Sequence, residues 1–180
     1  MSAANVSSMR YYCTYFDRNY LYKGLALYRS LVRHSSEFLL YILCFDDITF
    51  DLLSKMDLHG VHLIPQTELE KWDNRLIAAR KTRSRVECLW TCTPFLPLYI
   101  FDRYPGINQL TYLDSDIFFF SDPSPIFEEF AGDSILVIEH RYAKRLQYYE
   151  TNGKFNVQFL TFMRDSNGIA CLHWWRERCL

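Results

Sequence analysis

The chain has 180 residues and a formal net charge of -1, so no surplus of positive charge marks it as a nucleic-acid binder. Apolar residues make up 49% and aromatic residues 17%, which excludes whole-chain disorder and supplies the core of one domain. Cysteines 13, 44, 88, 92, 171 and 179 form neither a CxxC pair nor a zinc spacing; they are expected as reduced thiols within apolar segments of a cytoplasmic protein.

Residues 1–9 are small and polar and are expected to form a disordered extension, with the domain running over residues 10–180. Residues 10–16, rich in aromatic and β-branched types, predict a first strand, broken at Asp17-Arg18-Asn19. Leu21, Leu25, Tyr28 and Leu31 recur at helical spacing and predict a helix over 20–33. A continuous apolar run at 38–45 suits a buried parallel strand. A short helix over 50–58 and a strand over 61–64 follow, and this alternation is the pattern of a doubly wound α/β layer. Residues 67–85 read as a polar loop with five cations after Trp72: Arg75, Arg80, Lys81, Arg83 and Arg85. An apolar helix is predicted over 86–101, kinked or divided by Pro94 and Pro97. Beyond it the pattern predicts strands over 109–113, 134–138 and 155–162 and helices over 123–130, 141–150 and 166–180. The last helix has no stop signal, so the domain is expected to continue past residue 180. No apolar run approaches the roughly 20 residues that span a bilayer, so no transmembrane segment is expected.

One stretch stands out within this pattern. Asp114-Ser115-Asp116 interrupts Thr111-Tyr112-Leu113 and Ile117-Phe118-Phe119-Phe120. If the strand continued, Asp114 and Asp116 would project to one side while Ser115 pointed away. Two adjacent buried carboxylates repel one another, and a hard divalent cation removes that cost while leaving room for phosphate ligands. The competing reading is an acidic turn open to water. Open α/β sheets bind ligands beyond the carboxyl ends of their strands, where both residues 14–17 and residues 114–116 are expected.

Three segments together resemble a GT-A glycosyltransferase, with family-8-like nucleotide-diphospho-sugar transferases as the nearest likeness. They are Tyr11 to Asp17, the Leu-Asp-Ser-Asp segment, and Gly153-Lys154-Phe155-Asn156-Val157. The resemblance implies a Rossmann-like, mixed but mainly parallel sheet flanked by helices, incomplete at its C-terminus. It implies transfer of a sugar from a nucleotide diphosphate, most readily a UDP-sugar, to a glycan, lipid or protein acceptor. It assigns Thr14, Tyr15, Phe16 and Asp17 to the base and ribose, with Arg85, Ser115 and His140 also on the donor. It assigns Asp114 and Asp116 to catalysis through Mn²⁺ or Mg²⁺, and Asn156 to the region between donor sugar and acceptor. Gln158 stands where such enzymes usually have glycine, and no late histidine motif supplies a third metal ligand; His140 and His173 are the candidates, and neither carries that motif. Trp174 and Trp175 read as core rather than sugar platforms. Two alternatives accompany this reading: a non-catalytic binding or scaffold domain of the same fold, and a haloacid-dehalogenase-like phosphohydrolase.

Overall fold

The computed structural model describes residues 9–35 and 37–180, so the expected extension over 1–9 lies, apart from Met9, outside the described residues. Strand β1 (Arg10–Phe16) leads into helix α1 (Leu21–His34), β2 (Phe38–Cys44), α2 (Asp47–Met56) and β3 (Val61–Pro65). Helices α3 (Gln66–Trp72), α4 (Arg75–Thr82) and α5 (Arg85–Arg103) precede β4 (Gln109–Leu113) and α6 (Ser124–Glu129). Strand β5 (Ile135–Glu139), a 3-10 helix (Lys144–Asn152), β6 (Phe155–Met163) and α7 (Ser166–Arg178) complete the order.

The six strands form one sheet in the order β3-β2-β1-β4-β6-β5. Strands β1 to β4 pair in parallel, whereas β6 runs antiparallel to both β4 and β5. The sheet is therefore the mixed, mainly parallel one expected. Side-chain alternation divides the core between its faces. Cys13, Tyr41, Leu43, Tyr112 and Phe162 pack with Phe95, Tyr99 and Leu172 on one side. Tyr12, Phe16, Leu40, Ile42 and Phe159 pack with Leu27, Leu31 and Leu53 on the other.

Three expectations are corrected. The polar stretch after Thr67 is not a loop: it folds as α3 and α4, which tuck Leu69, Leu76 and Ala79 into the core while their cations stay outside. Isolated polarity concealed a sparse buried stripe, and tertiary packing supplies most of the stability of such short helices. Pro94 and Pro97 do not divide α5, which runs unbroken from Arg85 to Arg103. A proline costs a helix interior about 3 kcal/mol, but every residue from Thr91 to Phe101 is buried, and each large apolar side chain there returns about 1.5–3 kcal/mol. The helix expected over 141–150 is instead a 3-10 helix with no buried residue, so no apolar face holds it in α-geometry.

All six cysteines are free thiols. Burial pushes the Cys44 and Cys92 thiols up to about 12, which leaves them protonated, unreactive core groups.

Candidate functional site

The chain order reverses at β1. From there the sheet grows through β2 to β3 on one side, then resumes with β4 on the other. A cleft of about 400 Å³ opens beyond the carboxyl ends of these two strands. Tyr15, Phe16 and Asp17 come from the end of β1, and Asn19 and Tyr20 from the turn entering α1. Arg85, Val86, Leu89 and Trp90 come from the first turns of α5, and Tyr112, Asp114, Ser115 and Asp116 from the end of β4.

The start of α5 is set by a capping box. Ser84 Oγ accepts from the Glu87 N–H at 3.3 Å, and the Glu87 carboxylate accepts from the Ser84 N–H at 2.8 Å. Arg85 is consequently the first residue of the helix, and its guanidinium reaches over to donate to the Asp17 carboxylate. That carboxylate is almost wholly buried and also accepts from the Asn19 N–H at 2.9 Å and from Asn19 Nδ2 at 3.2 Å. Arg80 and Arg83 face elsewhere: Arg80 donates to Glu70 at 2.7 Å, and Arg83 donates to Thr91 Oγ1 and to the Cys179 carbonyl.

The acidic pair does not sit on a strand. β4 ends at Leu113, and the Ile117 N–H bonds the Asp114 carbonyl at 3.2 Å, so Asp114 to Ile117 form a tight turn. The expected alternation is thereby corrected: Ser115 does not point away but lines the same cleft, nearly buried. The turn returns Asp116 to the cleft, half-exposed, near a half-buried Asp114. Tyr112 donates to Asp114 Oδ1 at 2.7 Å. Burial holds the Asp114 carboxyl above the usual carboxylate range despite that bond, and the neighbouring Asp116 charge adds to the rise. Asp116 Oδ2 accepts from Lys23 Nζ at 3.3 Å. The turn is held from two directions. The Asp114 N–H bonds the Gln158 carbonyl on β6 at 2.9 Å, and the Phe119 N–H bonds the buried Ser30 Oγ on α1 at 3.1 Å.

Seven of the ten expected site residues therefore meet at one cleft: Tyr15, Phe16, Asp17, Arg85, Asp114, Ser115 and Asp116. Among them Phe16 is nearly buried, with its ring against Gly24, and offers little face for stacking. Tyr15 is half-buried and hydrogen-bonds Thr93 Oγ1 at 2.8 Å. Thr14, His140 and Asn156 do not line the cleft. Thr14 is fully buried on the opposite face of β1 from Tyr15. His140 stacks on Tyr142 with ring centroids 4.6 Å apart. Asn156 Oδ1 accepts from the Gln158 N–H at 3.0 Å, one residue-pair away from the acidic turn through the Gln158 carbonyl. Of the two tryptophans expected in the core, Trp175 packs there, while Trp174 is exposed.

Sequence reading passed over Asn19, Tyr20, Leu89 and Trp90. Asn19 and Tyr20 carried a signal, because they follow Asp17 directly in a chain break. Trp90 carried none: only the structure shows it 65% exposed, at the end of the open first turns of α5. Among the described residues no group of three or more His, Cys, Asp or Glu side chains is arranged to hold a metal ion. No helix among them is long and apolar enough to cross a membrane.

This architecture is similar to that of solved glycosyltransferases. Mouse xyloside xylosyltransferase 1 superposes with a TM-score of 0.59 at 14% identity, over 95% of this chain and 74% of that one. The WbbM bifunctional glycosyltransferase gives a TM-score of 0.57 at 13% identity, over 99% of this chain and 35% of that one. The glycosyltransferase GlyE of Streptococcus pneumoniae gives 0.54 at 18% identity, over 95% and 37%. In sequence, the uncharacterized protein YfnF of Bacillus subtilis is 34% identical over 178 residues, covering 94% of this chain and 57% of YfnF. YfnD of the same organism is 29% identical over 171 residues, covering 94% of this chain and 54% of YfnD. The chain thus spans little more than half the length of these relatives. The family described as glycosyl transferase family 8 matches residues 13–164, which include both ends of the cleft and the acidic turn; the chain belongs to that family.

Proposed function

We propose that the chain transfers a sugar from a nucleotide diphosphate, most readily a UDP-sugar, to an acceptor, with a divalent cation at Asp114 and Asp116. The observation that carries this reading is the convergence of Asp17, Arg85 and the acidic turn on one cleft at the sheet's switch point. The donor set suits Mn²⁺ or Mg²⁺. Asp114 is an acid held above its usual range by burial and by a second carboxylate, a pairing that a hard cation relieves. Two carboxylates fill part of a six-oxygen shell, and diphosphate oxygens and water suit the remainder. When bound there, such a cation supplies charge neutralisation for a departing diphosphate.

The chain's own residues do the rest of the binding. Asn19 and Arg85 hold the Asp17 carboxylate at the strand end, where it accepts from a base or ribose donor. The exposed faces of Tyr20 and Trp90 flank that position and suit stacking on a base. Tyr112 fixes the Asp114 carboxyl in one orientation. His140 and Asn156, at the β5 and β6 side of the turn, are assigned to the donor sugar and the acceptor side. The Trp90 assignment has its own readout. Adding UDP with Mn²⁺ is expected to quench tryptophan fluorescence, and Trp90→Phe is expected to remove the quench while keeping affinity within a few-fold, since phenylalanine still stacks. A quench that survives in Trp90→Phe places the base elsewhere.

A second reading, donor binding without turnover, is favoured by one observation: the described residues provide no third protein ligand for the cation. Release of free UDP from a UDP-sugar, with or without acceptor, separates the two. The phosphohydrolase alternative finds no support, because the acidic pair follows β4 rather than the first strand.

A further inference from the structure

Lys23 occupies an electrostatically awkward position. It lies in the first turn of α1, a fourteen-residue helix whose N-cap Tyr20 makes no side-chain cap and whose first turn holds no acid. The positive end of the helix dipole disfavours a cation there, and Asp or Glu is the usual occupant. Two partners outside the helix's own hydrogen bonding offset that cost. Lys23 Nζ donates to Asp116 Oδ2 at 3.3 Å, and it sits 4.2 Å from the centroid of the Tyr20 ring. Both partners line the cleft.

We infer that Lys23 is a built-in counter-ion for Asp116, one that a divalent cation must displace and that makes metal binding depend on donor binding. The inference rests on the proposed metal-assisted reading of the same cleft. Asp116 is half-exposed and Lys23 less so, which keeps this ion pair weak enough to exchange. A cation arriving alone must separate the pair and then tolerate an ammonium at short range. A cation arriving with a nucleotide diphosphate brings anionic oxygens, which give the displaced ammonium a new partner at the cleft. Lys23 therefore penalises metal alone and favours metal with donor, which is a coupling free energy between two ligands of one site. It is a positioning residue, because it acts through Asp116.

The test is a manganese titration, read by the signal of free Mn²⁺ in electron paramagnetic resonance, on the wild-type chain and on Lys23→Gln, each with and without UDP. Glutamine keeps a polar end one atom nearer the backbone and removes the charge. Lys23→Gln is expected to bind Mn²⁺ alone about three- to tenfold more tightly, the size expected for one partly screened charge at short range. The enhancement of Mn²⁺ affinity by UDP is expected to shrink by a similar factor, and Lys23→Arg is expected to restore wild-type behaviour. Equal Mn²⁺ affinities in the wild type and Lys23→Gln, with equal enhancement by UDP, overturn the role of Lys23 and leave the metal-assisted reading intact. If neither protein binds Mn²⁺ even with UDP, both fail together.

Discussion

Asp114→Asn is expected to lower turnover by at least about a hundredfold, the scale seen when one aligned electrostatic contact to a developing charge is removed. The same substitution is expected to raise the thermal midpoint of the ligand-free chain at pH 7. These opposite signs share one cause. Asp114 is half-buried beside Asp116, and burial together with that neighbour lifts its carboxyl above the usual range. A carboxyl whose folded-state pKa is raised favours the fold while protonated, and that contribution is lost as pH rises through the folded-state value. Above the unfolded-state value, and so at pH 7, the ligand-free fold therefore bears a cost from this carboxyl that an uncharged side chain would not impose. Asparagine keeps an oxygen for the Tyr112 hydroxyl and discards the charge. Its stabilising effect is expected to fade as pH is lowered and to vanish below about 4, where the aspartate is protonated in the unfolded chain as well. Thermal melts of both proteins at several pH values, beside assays of UDP release, check both halves. A fall in midpoint at pH 7 would contradict the view that the acidic turn is held at a cost for function.

Gly24→Ala tests the shape of the cleft's floor. Gly24 lies inside α1, where alanine normally gains about 1 kcal/mol over glycine. A Cβ added there would stand 2.3 Å from Phe16 Cε1 and 2.4 Å from Phe16 Cζ. Phe16 is only 3% exposed and packs with Tyr12, Leu27 and Ile42, so its ring has nowhere to swing. Overpacking of this kind costs about 1–3 kcal/mol, and the net effect is expected to be destabilising despite the helix preference. Because Phe16 immediately precedes Asp17, the displaced ring is also expected to disturb the Asp17–Arg85 pair and weaken UDP binding. Urea unfolding and a UDP titration measure the two consequences. A more stable Gly24→Ala protein would show that helix propensity outweighs the contact.

The strands were legible because each is a short apolar run bounded by turn residues, and β1, β2 and β4 emerged at nearly their observed limits. The acidic turn was legible as chemistry but not as geometry. Asp114 and Asp116 face one cleft because the chain folds back at Ser115, a tight turn that strand periodicity does not describe. Thr14 shows the converse. It sits one residue from Tyr15 in the expected segment, yet strand alternation points it into the opposite face of the sheet. Helices α3 and α4 were missed because their buried stripe is only Leu69, Leu76 and Ala79 among many charges. Trp90 and Lys23 belong to the site only through tertiary placement: neither lies in a motif, and each reaches the cleft from the first turns of a helix whose start is set elsewhere.

The most direct measurement is calorimetric titration of UDP into the chain with Mn²⁺ present and with Mn²⁺ chelated, repeated on Asp116→Asn. Saturable binding that requires Mn²⁺ is expected in the wild type and is expected to be largely lost in Asp116→Asn, with the fold of the variant intact by circular dichroism. Equal UDP binding with and without Mn²⁺, unchanged by Asp116→Asn, would contradict the metal-assisted reading.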